Sequence, residues 1–121
     1  MRFAAVLVCS LVLGSSAALA GGADVVGVEA KQASNGTWRF DVTVAHADEG
    51  WDHYANKWEV VAPDGTVLAT RVLAHPHVNE QPFTRSKSGI VIPEGLETVT
   101  VRAGDSVHGI TGKVMTFSVK Q

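Results

Sequence analysis

Cysteine is almost missing from this 121-residue chain, which has only Cys9. That residue lies inside an apolar run, residues 3–14 (FAAVLVCSLVLG). Arg2 precedes the run and Ala18-Leu19-Ala20 follows it. A positive start, an apolar run too short for a bilayer and a small-x-small cleavage point read as a secretory leader. A lipid-anchored cysteine would stand at the cleavage point, so Cys9 in mid-run argues against lipidation. The expected division is a cleaved leader, residues 1–20, and one domain, residues 21–121. The domain is expected to be periplasmic or secreted. It holds no cysteine, which excludes disulfides, zinc–thiolate sites, iron–sulfur clusters, blue copper and thiol catalysis.

Other scarcities narrow the function. Charged residues make up 18% of the chain, and 10 basic against 12 acidic residues give a net charge of −2. No basic cluster is present, so neither nucleic acid nor an anionic membrane surface is an expected partner. No second apolar run is long enough to span a membrane. Aromatic residues are 7% of the chain, little for a sugar cleft. No window carries a helical period, and no glycine-rich phosphate loop opens a helix. Asp105, Ser106 and His108 are triad residue types, but one short turn cannot give them nucleophile–base–orienter geometry.

What is present is alternation with β-branched residues, the mark of strands. Strands are predicted over residues 25–33, 37–46, 57–62, 67–74, 89–92, 97–103 and 113–120. Seven short strands in about a hundred residues predict an all-β, immunoglobulin- or fibronectin-III-like antiparallel sandwich, with a small barrel as the alternative. Asn35-Gly36, Pro63-Asp64-Gly65 and Pro93-Glu94-Gly95 are compact turn signals. If consecutive strands run up and down, these turns share one pole. The long connections, residues 47–56, 75–88 and 104–112, share the other.

All five histidines fall at that second pole: His46, His53, His75, His77 and His108. Imidazole suits divalent transition metals and carboxylates can complete the shell, so these five are the candidate ligands. Copper or zinc is the first expectation, with iron third. The His75-Pro76-His77 spacing puts two imidazoles on one face of an extended chain. Asp105, Asp48, Asp52 and Glu80 are candidate additional or supporting groups. The expected role is metal carriage, buffering or sensing rather than catalysis. Two alternatives stand beside it. Trp51, Tyr54, Phe83 and Arg85 form a recognition surface for a periplasmic protein partner. Or a histidine-bound metal serves a redox or hydrolytic enzyme.

Three stretches resemble a group of small exported bacterial β-sandwich proteins of unassigned function. They are HADEGWDHYANKWE (46–59), HPHVNEQPFTR (75–85) and DSVHG (105–109). The chain is also similar to superoxide reductases of the neelaredoxin type. His53-Tyr54, Trp58-Glu59 and Asp64-Gly65 look like that family's run from a ligand histidine into the next hairpin. His46 stands seven residues ahead of His53, near the family's ligand spacing, and His108-Gly109 is similar to its last ligand. The resemblance implies an immunoglobulin-like sandwich with a histidine-rich iron site. Asp105 falls where that family has its iron-binding cysteine.

Overall fold

In the computed structural model, residues 22–120 are described; the expected leader, residues 1–20, and Cys9 with it lie outside them. Seven strands follow in order: β1 (Asp24–Gln32), β2 (Trp38–Ala45), β3 (Ala55–Val61), β4 (Val67–Val72), β5 (Phe83–Ile90), β6 (Thr98–Asp105) and β7 (Met115–Ser118). They form two antiparallel sheets, ordered β1-β2-β5 and β4-β3-β6-β7. The sandwich is the expected architecture, and no helix occurs among the described residues.

Period-2 alternation explains the packing. Trp38, Phe40, Val42 and Val44 of β2 point inward, while Arg39, Asp41 and Thr43 point out. Val99, Val101 and Ala103 do the same for β6. Trp58 of β3 is fully buried between the sheets and is among the largest side chains of the core. β1 is pinned to the far sheet at its start. Val25 N–H donates to the Lys113 carbonyl at 2.9 Å and Lys113 N–H donates to Asp24 Oδ1 at 2.8 Å. Gly112 lies so close to the main chain there that a Cβ would stand 2.0 Å from the Ala23 carbonyl oxygen.

The main correction concerns β5. The sequence predicts a strand over residues 89–92; the structure has it over Phe83–Ile90. Its residues Thr84 to Ser88 are polar or charged, so the apolar alternation that marks a strand is absent. β5 is an edge strand pairing only with β2, and edge strands commonly carry charge. Polar contacts replace the missing apolar ones. Ser86 Oγ donates to Asp41, Arg71 Nε donates to the Ser86 carbonyl at 2.9 Å, and the Thr43 and Thr84 hydroxyls meet at 2.7 Å. The second long connection therefore ends before Phe83, and Arg85 belongs to a strand.

The registers establish the two poles. Asp24 faces Ala45, Phe83 faces Val44, Ala55 faces Asp105 and Val72 faces Lys57. The end of β2, the start of β3, the end of β4, the start of β5 and the end of β6 thus share one end of the sandwich. His46 follows β2 directly and Asp105 ends β6, so the two sheets present these residues to each other.

Trp58→Ala should cost about 3–5 kcal/mol of unfolding free energy, as large-to-small core changes do. The Trp58 indole N–H is buried without a partner. Trp58→Phe should therefore cost clearly less, because it removes an unsatisfied donor while keeping most of the volume. Urea unfolding of both variants measures the difference.

Candidate metal centre

Asp105 Oδ2 is the meeting point of three imidazoles. His46 Nε2 stands 2.9 Å from it, His53 Nε2 3.0 Å and His108 Nδ1 3.0 Å. The His46 and His53 rings meet edge to face at 4.8 Å between centroids, and His53 and His108 lie 4.9 Å apart. Ligand atoms of His46, His53 and Asp105 all lie within 4.8 Å of one another, close enough to share one ion.

Local structure fixes each group. The second Asp105 oxygen, Oδ1, accepts the main-chain N–H groups of Val107, at 2.9 Å, and of His108. Asp105 and Gly109 also exchange main-chain hydrogen bonds of 3.0 and 3.1 Å. This turn aims Oδ2 at the imidazoles and brings His108 back beside it. Burial pushes the Asp105 pKa up, but the hydrogen bonds from the main chain and ring of His108, from His53 and from Val107 outweigh it. The pKa is held well below the ordinary carboxylate range, so Asp105 is an anion wherever the imidazoles titrate.

The far side of each ring is also held. His46 Nδ1 faces Asp48 Oδ1 at 2.5 Å, and His53 Nδ1 faces Glu49 Oε1 at 2.7 Å. Asp48 is itself anchored: Oδ1 accepts the Ala55 N–H at 3.0 Å and Oδ2 the His77 N–H at 2.7 Å. Gln81 ties the neighbouring main chain together, accepting the His46 N–H at 2.9 Å and donating to the His77 carbonyl at 2.9 Å.

This arrangement has a proton count. His46 and His53 present four ring nitrogens to carboxylate oxygens, while two neutral imidazoles carry only two N–H groups. Either extra protons are present, on the rings or on the facing carboxylates, or a cation stands where the Nε2 lone pairs converge. In the second case Nδ1–H donates to Asp48 and Glu49 and Nε2 faces the ion. That is the carboxylate–histidine–metal pattern by which outer groups orient metal ligands. Two ligands about 2.1 Å from one tetrahedral ion stand about 3.4 Å apart. The observed 2.9–3.0 Å from the His46 and His53 nitrogens to Oδ2 needs only a small opening, whereas His108, 3.0 Å from Oδ2, stands outside the group whose ligand atoms all lie within 4.8 Å of one another and has to swing in to join it.

His75 and His77 form a separate pair. Their ring centroids are 4.7 Å apart, and the His77 ring stacks on Phe83 at 3.9 Å. Arg85 Nη2 donates to His77 Nε2 at 2.9 Å, which places a cation at the nitrogen a metal would use. Burial first, and then the Arg85 charge, lower the His77 pKa, which disfavours the charged ring. His75 is exposed, its Nδ1 turned to the Pro76 carbonyl at 3.1 Å. Asp48 and Gln81 link the pair to the three-histidine group.

The remaining candidates are dispersed. Glu80 is exposed, 3.3 Å from Arg85 Nη2. Asp52 is exposed. Trp51 is 67% exposed and meets Tyr54 edge to face at 5.5 Å. Phe83 is 2% exposed, which removes it from any recognition surface; it opens β5 and belongs to the core. Gln81 was outside the set of candidate site residues, whereas Glu49, in the first long connection, was expected to be a supporting or solvated carboxylate. Glu49 stands four residues before His53, a spacing that does place two side chains together in a compact turn. Gln81 has no such local signal, because its partner His46 is 35 residues away.

A "Putative lipoprotein" of Halomicrobium mukohataei is 42% identical to the chain over 93 residues. The match covers 77% of this chain and 45% of that protein, so the chain spans under half the length of its relative. No family model matches the chain, and no solved structure matches it.

Asp48→Asn should destabilise the fold, because an amide offers one acceptor oxygen where the carboxylate serves three donors. Each buried donor left unpaired costs about 1–3 kcal/mol. Asp52→Asn, at an exposed position, should stay within about 0.5 kcal/mol of the parent. Equal urea midpoints for the two variants would contradict the anchoring role of Asp48.

Proposed function

We propose that this protein is an exported metal-binding protein that takes one divalent transition ion at His46, His53, His108 and Asp105. One observation carries the reading. Two separate rings each have a carboxylate on Nδ1 and direct Nε2 to the same point. A chance cluster of solvated histidines has no reason to repeat that polarity. Nitrogen and carboxylate donors without sulfur favour copper(II) or zinc, with iron third. The ion would neutralise the buried anion Asp105 and complete the proton count of the rings.

Export is supported by the leader-like residues 1–20 and by the relative's name, which describes a lipoprotein. Carriage, buffering or sensing of the ion is the role that fits a site held by four side chains. His75 and His77, the most suggestive pair in the sequence, are assigned to loop packing, since Arg85 already caps the His77 ring.

Metal analysis of the purified, untagged protein should find about one equivalent of copper or zinc, and adding the ion should raise the melting temperature. His46→Ala with His53→Ala should abolish both effects; His75→Ala with His77→Ala should leave the stoichiometry unchanged. Affinity should fall as the pH is lowered, because protons compete for the ligand nitrogens. Less than about a tenth of an equivalent, with no thermal shift from copper, zinc, nickel or iron, would sink the reading.

A further inference from the structure

The four proposed ligands differ in how firmly they are held. The Asp105 side chain is 0% exposed and that of His46 2%. His53 is 18% exposed and His108 42%. Three of the four are also fixed from behind. His46 is fixed by Asp48, His53 by Glu49, and Asp105 by two main-chain N–H groups. His108 has no such support. Its Nδ1 faces Asp105, and among the described residues its Nε2 has no hydrogen-bond partner. Its main chain is nevertheless tethered, because the His108 N–H donates to Asp105 Oδ1.

Resting on the metal reading above, we infer that His108 is the exchange ligand of the site, through which the ion enters and leaves. A rotation of the His108 side chain moves its ring into solvent without disturbing the turn. It exposes the ion on one side, where an incoming donor, such as an imidazole, thioether or carboxylate of a receiving protein, can coordinate before the ion departs. His46, His53 and Asp105 then act as a seat that keeps the ion until the transfer is complete. A site made for permanent structural use would bury and support all four ligands; this one leaves a single ligand unsupported at the surface. Supporting groups on ligand histidines commonly contribute about 10- to 100-fold in affinity, so a ligand lacking one is the weakest member.

The test is zinc transfer from the purified protein to an excess of a colorimetric chelator, followed by stopped flow. For the unsubstituted chain the rate should rise with chelator concentration towards a plateau set by His108 detachment. His108→Ala should still bind about one zinc, with affinity reduced by no more than about 100-fold, and should release it at least about ten times faster. Its plateau should disappear. The His108 ring is exposed and its main-chain hydrogen bond survives the substitution, so folding should persist, which near-UV circular dichroism can verify. Transfer from His108→Ala at or below the parental rate would overturn the inference. So would an affinity loss as large as that of His46→Ala. If the unsubstituted chain takes up none of copper, zinc, nickel and iron, the metal reading itself fails and this inference with it; if it takes up copper and not zinc, the same transfer is followed with copper.

Discussion

The chemistry of this molecule depends on one buried anion, the Asp105 carboxylate at the end of β6. A carboxylate taken out of water is costly unless it is met by donors or a cation. Asp105 is met on both oxygens. Oδ1 closes its own turn through two main-chain N–H groups, and Oδ2 gathers three imidazoles from three segments of the chain. The sandwich exists, in effect, to bring the end of β6 against the start of β3 and the end of β2. The antiparallel pairing of Ala55 with Asp105 and the position of His46 just after β2 do that.

A second carboxylate makes the first useful. Asp48 is fully buried at its side chain and holds the His46 ring, the start of β3 and the His77 main chain at once. It pins the connection between the sheets at three points. Two features that appear independent in the chain, the histidines of the first long loop and the His75-Pro76-His77 run, are joined through it. The ring chemistry of the two groups still differs. His46 and His53 are flanked by anions on both sides, whereas His77 is flanked by a guanidinium and a phenyl ring. Equal residue types thus receive opposite electrostatic environments, and only the first suits a further cation.

Much of the fold was legible from the chain because strand alternation and turn chemistry are local. The inward face of β2, Trp38 to Val44, and the compact turns at Gly36 and Gly65, both with positive φ, follow from neighbouring residues. The common pole of the five histidines was legible too, because it needs only the alternating direction of strands. β5 was not, since its stabilising partners are polar and distant: Asp41, Arg71 and Thr43. The division of the histidines was hidden for the same reason. The sequence spacing favoured His75 and His77, but Arg85, on a strand that alternation did not reveal, caps that pair. Asp105 stood out as a neighbour of His108 and through the resemblance that sets it at a ligand position. Its partnership with His46 spans 59 residues, beyond any local pattern.

The proposed ion would sit among the nitrogens His46 Nε2, His53 Nε2 and His108 Nδ1. Imidazole nitrogen-15 correlation spectra with and without zinc address those atoms individually. Metal-bound shifts are expected at these three nitrogens, with protonated Nδ1 on His46 and His53 and unchanged spectra for His75 and His77. Metal-bound shifts on His75 and His77 with His46 and His53 unaltered would contradict this placement.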